Sequence, residues 1–186
     1  MSILKNNKKE DILRAAYELF IENGYDNTPM KMIAERAGTP QSHIYNFFEN
    51  KESLFEAVLR MAQDSFLSKM IVVAEECREA PPEEYVTRTI DAIQANRGEA
   101  VFIISSALTP KLRAKAEPLL KEYSDEMVGV MSLLFPGVSD ELLYKIGNIL
   151  LAISDSLLID GNRERAANSA VFAMELFKHY IGNLNR

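Results

Sequence analysis

Apolar residues recur at intervals of three and four along nearly the whole chain. In EDILRAAYELFIENG, Ile12, Ala16, Leu19 and Phe20 share one helical face, the i, i+4, i+7, i+8 spacing of a buried stripe. Gly24 supplies a left-handed stop. Thr28 precedes PMKMIAERAG, where a hydroxyl cap and a proline at the first helical position predict a short second helix ending at Gly38. Thr39 and Pro40 repeat that start for a third helix reaching about Phe48. Lys51 opens a longer fourth, KESLFEAVLRMAQDSFLSKMIVVAEEC, whose Leu54, Val58, Ala62, Phe66 and Met70 give it a broad apolar face.

The clearest break is CREAPPEEY, because two prolines cannot continue a helix and the flanking acids favour water. Beyond it, helices are predicted at about 83–96, 99–108, 110–134, 139–160 and 163–182. Pro118 should kink or restart the third of these. Strand-like alternation at period two is absent. The pattern predicts an all-α protein of about nine helices, with an N-terminal three-helix helix-turn-helix domain over 1–50 and a larger helical bundle over 51–186. Residues 51–77 are expected to connect them.

MKMIAERAGTPQSHIYNFF has the steric skeleton of a helix-turn-helix. Ala34 is small where a second helix must come close. Gly38 takes the positive φ of a tight turn, and Ile44 folds back onto Ile33 and Ala37. With Ile44 and Phe48 inward, Ser42, His43 and Asn46 face outward, and Gln41 joins them in the exposed first turn. Gln and Asn can bond an adenine edge bidentately, and Ser and His can reach base or phosphate acceptors. Thr28, Tyr45 and Lys51 are candidate phosphate contacts around that helix, with Lys5, Lys8 and Lys9 as a small basic arm before the first helix.

Charge adds little support. The net charge is −6 over 186 residues, and residues 1–60 hold 8 Lys and Arg against 9 Asp and Glu. DNA binding must therefore rest on where charges sit. Composition, 47% apolar and 26% charged, is that of an ordinary globular chain. No apolar run has the length of a membrane span, the first residues lack a signal-peptide core, and the one cysteine, Cys77, fits a reducing compartment, so a cytoplasmic location with no membrane partner is expected.

The run TPMKMIAERAGTPQSHIYNFFENKESLF resembles the TetR family signature: a Thr cap, I-A-x-x-A-G, a short helix with I-Y-x-x-F, then K-E-x-L. The resemblance covers roughly residues 8–58. It implies a homodimeric transcriptional regulator, usually a repressor, that binds a palindromic operator in double-stranded DNA and is released by a small-molecule effector of unknown identity. By the same similarity, Gln41, Ser42, His43 and Asn46 would face bases, and Thr28, Tyr45 and Lys51 would hold phosphates. Ser42 stands where many members have Gly, His43 where Thr, Ser or Ala is common, and Phe47 where Tyr or His often sits. These departures keep the operator sequence open, and the near-neutral domain predicts modest affinity with a shallow salt slope.

The second half carries more apolar surface than one core needs. Ile146, Ile149, Ile153 and Leu157 form a stripe on the 139–160 helix, and Ala170, Ala173 and Phe177 on the last helix. These are the expected dimer contacts, two helices from each subunit. Phe66, Met70, Phe102, Met127 and Met131 supply adaptable apolar walls for an effector pocket, with Ser106 and Tyr123 as polar contacts. The fourth helix, joining both domains, is the expected lever. No cofactor, metal site or enzymatic activity is expected: Ser42 and His43 are sequence neighbours without an orienting third group, neither His lies in a Glu-x-x-His motif, and Cys77 has no partner nearby. The alternatives are the same fold acting through ligand or protein binding without DNA recognition, or an enzymatic bundle.

Overall fold

Helix α1 runs from Ser2 to Asn23 in the computed structural model, which describes residues 2–184. It begins well before the expected Glu10. The intervening SILKNNKK contains neither proline nor glycine, so nothing stops the helix from propagating back. Lys8 and Lys9 therefore lie on α1 and not on a free arm.

Helix α2, Met30–Arg36, is capped by backbone position only: Pro29 occupies the N-cap with no side-chain bond. Thr28 is not the cap. Its hydroxyl points into the protein toward the carbonyls of Leu19 at 3.1 Å and Gly24 at 2.8 Å. Helix α3 is a single turn, Gln41–Ile44, shorter than expected. The next amides bond three residues back, Asn46 to His43 and Phe47 to Ile44, and this tighter winding carries Phe48 into the core. Helix α4, Lys51–Glu76, opens on a capping box: the Asn50 side chain accepts from the Ser53 amide at 2.8 Å while Ser53 Oγ accepts from the Asn50 amide at 3.2 Å.

The larger half comprises α5 (Pro82–Ala95), α6 (Arg97–Leu108), α7 (Arg113–Leu134), α8 (Asp140–Asp160) and α9 (Arg163–Leu184). Nine helices and no strand occur among the described residues. Pro118 lies inside α7 without dividing it. The helix starts at Arg113, later than expected, and Pro118, its sixth residue, costs it one amide bond without ending it.

Helix α4 packs against α1, α5, α6 and α7, and α8 pairs with α9. One continuous core runs from Ile12 of α1 to Phe177 of α9. The first three helices meet the rest through an aromatic cluster. Phe102 of α6 lies 5.5 Å from Tyr17, 6.5 Å from Phe20 and 5.8 Å from Phe55, centroid to centroid. Such rings contribute beyond their buried area.

The expected dimer stripe is mostly interior. Ile146, Leu157, Ala170 and Phe177 are buried within the subunit, and Ile153 and Ala173 are half-buried. Of the seven, Ile149 is exposed. Among the described residues of α8 and α9, the large apolar side chains more than half exposed are Ile149 on α8 and Phe172, Leu176 and Tyr180 on α9. The helical period was right but its phase was not, because α7 and α5 claim the inner faces of α8 and α9. No helix among the described residues is long and apolar enough to cross a membrane.

Candidate nucleic-acid interface and ligand cavity

Ile33 and Ile44 are both 0% exposed, and Ala34 beneath them is 4% exposed, so α2 and α3 are locked at close approach. Gly38 turns the chain between them at φ +59°, in the left-handed region. The Thr39 amide bonds to the Ala34 carbonyl at 3.0 Å and closes the turn. This clamp leaves Gln41, Ser42 and His43 exposed on α3 and Asn46 exposed in the turn that follows it, with Tyr45 beside them at 49% exposure. Two contacts touch the set: Gln41 Nε2 lies 3.4 Å from the Tyr45 hydroxyl, and Thr39 Oγ1 lies 3.4 Å from His43 Nδ1. Both are long and leave the side chains free to exchange partners.

The other two candidate phosphate contacts are engaged within the protein. Thr28 is 0% exposed, so its hydroxyl cannot reach a phosphate, and the sequence expectation for that side chain is overturned by burial. Lys51 donates to the Tyr25 carbonyl, and its ammonium sits 4.2 Å from the Tyr25 ring centroid. Burial pulls the Lys51 pKa down, partly opposed by Asp26 and Glu52. The Tyr25 phenol is pushed up to about 12, by burial first and by Glu52 and Asp26 after it. Arg36 is spoken for: it bonds Glu22 at 2.8 Å and Glu18 at 3.1 Å, pinning α2 to α1. One cation the short-range pattern did not connect to α3 is Lys9, whose ammonium lies 5.8 Å from the Phe48 ring centroid. Only the tertiary contact of α1 with the end of the α3 turn reveals it.

A cavity of about 140 Å³ lies in the larger half. Phe66, Met70, Tyr123, Met127 and Met131, all candidate pocket residues, line it. Phe102 and Ser106 do not. Phe102 belongs to the aromatic cluster at α1, and Ser106 is buried with its hydroxyl donating to the Ile103 carbonyl at 2.6 Å. Helix α5 supplies a wall that the sequence reading missed, through Tyr85, Thr89 and Ile93. Their four-residue spacing was the available signal. The exposed lining residues are Tyr144, Asn148 and Leu151, so the mouth lies along α8.

Helix α6 faces both regions. Ala100, Ile103 and Ile104 line the cavity, while Phe102 packs on α1. Gly98 lets α6 approach closely, since a Cβ there would stand 3.2 Å from the Tyr17 hydroxyl. Lys111, just after α6, pairs with Asp26 of the α1–α2 loop at 2.9 Å.

The model of the family "Bacterial regulatory proteins, tetR family" matches residues 12–58. A repressor, KstR2 of Rhodococcus jostii (strain RHA1), is 30% identical over 139 residues, 73% of this chain and 68% of that protein. The transcriptional regulator RutR of Escherichia coli (strain K12) is 30% identical over 129 residues, 66% of this chain. That match spans 61% of the length of RutR. The solved structure of the regulator FadR from Bacillus subtilis, in complex with stearoyl-CoA, is similar in fold with a TM-score of 0.60 at 19% identity, covering 90% of this chain and 96% of that one.

Proposed function

Because the chain belongs to the tetR family of bacterial regulatory proteins, we propose that it is a dimeric, sequence-specific DNA-binding transcriptional regulator, a repressor released by a small-molecule effector. The observation that carries this reading is the α2–α3 clamp, which holds four polar side chains outward, three on α3 and Asn46 just past its end. Gln41, Ser42, His43 and Asn46 read base edges, and Tyr45 and Lys9 contact phosphate. Lys51 acts chiefly by ordering the α1–α2 loop through Tyr25. The helix-turn-helix domain ends near residue 50, and the remaining helices bind effector and dimerise.

The stabilising partner for the exposed apolar face of α8 and α9 is the same face of a second copy. A two-fold pair then presents two α3 helices to the half-sites of an inverted repeat. Effector in the cavity displaces α6, and Phe102 transmits that displacement to α1. Helix α6 is thus the lever beside α4. Release requires the effector to favour the arrangement that binds DNA poorly, since a ligand indifferent to the two shifts nothing.

The test is selection from random genomic fragments at low and moderate salt. Retained fragments sharing an inverted repeat are expected. Recovery of none at low salt, or of fragments without a shared sequence, overturns the reading in favour of a TetR-like protein that works without DNA recognition.

A further inference from the structure

The cavity wall is notable for the side chains it lacks. None of its lining residues is Asp, Glu, Lys, Arg or His. Beyond burial, the charges that act on the Tyr123 hydroxyl within it are carboxylates, Glu126 before Glu99, so neither would counter the charge of an entering anion. Glu99 is in turn held by Lys69 at 2.6 Å and by Ser65 at 3.0 Å, so it is already neutralised against an entering cation. A charged group placed inside would lose its water without gaining a counter-charge.

One polar atom in that wall is left over. Thr89 Oγ1 is buried and makes no hydrogen bond. The neighbouring Tyr85 hydroxyl lies outside ordinary bonding geometry but near enough that Thr89 lowers its pKa as a hydrogen-bond donor would, against the larger rise from burial. By contrast, Ser154 of the same wall donates to the Leu150 carbonyl at 2.9 Å. A buried hydroxyl without a partner is costly, and a ligand that supplies one recovers that cost. Burial raises the pKa of both Tyr85 and Tyr123, which keeps the two phenols protonated near neutral pH.

We propose that the cavity takes an uncharged, largely apolar molecule of about one ring, held by a hydrogen bond to Thr89 on the α5 wall. The size follows from the volume of about 140 Å³, close to that of a cavity that accepts benzene. This inference rests on the larger half being the effector-binding half, and it names the class of molecule that half accepts.

The experiment is calorimetric titration of the full chain with benzyl alcohol, toluene, benzoate and benzylamine, without DNA. Benzyl alcohol is expected to bind at least roughly tenfold tighter than either charged analogue, since burying an unpaired charge costs more than one decade of affinity. Thr89→Val is expected to weaken benzyl alcohol by roughly fivefold or more, while toluene changes by no more than about twofold. A melting curve checks that the variant is folded, and Thr89→Ala serves if Val is not accepted. A charged analogue that binds as tightly as benzyl alcohol overturns the proposal, as does absence of heat from both neutral probes. Equal weakening of toluene and benzyl alcohol removes the Thr89 bond from it. Fragment selection can fail while these titrations succeed, and the reverse, so the two readings fall separately.

Discussion

Thr28 and Tyr45 illustrate how a side chain's role depends on which way it points. Both carry hydroxyls near α3, but Thr28 is buried against the carbonyls of Leu19 and Gly24 while Tyr45 is half in solvent. Thr28→Val keeps the shape and removes the one donor that the Leu19 and Gly24 carbonyls share. It should lower unfolding free energy by about 1–3 kcal/mol, read by urea denaturation. Tyr45→Phe should leave that curve unchanged and weaken binding to every DNA sequence alike, read by titration against operator and unrelated duplexes. Gln41→Ala should instead alter preference at one base position. Identical sequence profiles for Tyr45→Phe and Gln41→Ala would remove the division between positioning and reading. The residues of the turn were legible from sequence because Ala34, Gly38 and Ile44 act through local sterics at fixed spacing. Thr28 was not, since capping and inward bonding use the same residue type and only the fold around Leu19 decides between them.

Helix α6 is the element whose two faces serve different neighbours. Its sequence carries little periodic signal, because apolar residues stand on its exposed side as well as its buried one, Val101 and Leu108 among the former. Phe102 and Ile103 looked equivalent in sequence, yet one fills the aromatic cluster at α1 and the other lines the cavity. Removing the ring should therefore strike the junction and not the cavity. Phe102→Ala is expected to cost about 3–5 kcal/mol of stability, and Phe102→Leu less. In the Leu variant, benzyl alcohol affinity measured by calorimetry should stay within about threefold of wild type, because its binding surface is untouched. A large loss of ligand affinity in that variant would place Phe102 at the cavity after all. The boundaries of α4, α5, α8 and α9 were readable within a few residues, since proline, glycine and capping chemistry mark them. The length of α3 was not, because the tightening after Ile44 answers to the burial of Phe48 and to no local stop signal.

Across the whole molecule, exposed carboxylates form ion pairs within and between helices, and α8 and α9 leave an apolar face uncovered. Glu22, Glu122 and Glu141 all have their pKa lowered below the ordinary 4.5, chiefly by hydrogen bonds from Arg36, Arg60 and Lys145. The folded chain thus binds fewer protons than the unfolded one as pH falls through the carboxylate range. Their contribution is complete above about pH 4.5 and is lost below it, so the melting temperature should drop on acidification through that window. The uncovered face makes a sharper prediction. Phe172 is 61% exposed and Leu176 54%, one turn apart on α9, with Ile149 of α8 at 51%. Phe172→Glu with Leu176→Glu places like charges across a two-fold contact, while each side chain already faces water in the single subunit. The double variant should sediment as a monomer with a helical spectrum unchanged, and should bind one half-site but lose the cooperative grip on an inverted repeat. Phe177→Glu, on the buried side of the same helix, should unfold the chain instead. A double variant that remains a dimer would move the contact to another surface, and with it the spacing between the two α3 helices on which half-site geometry depends.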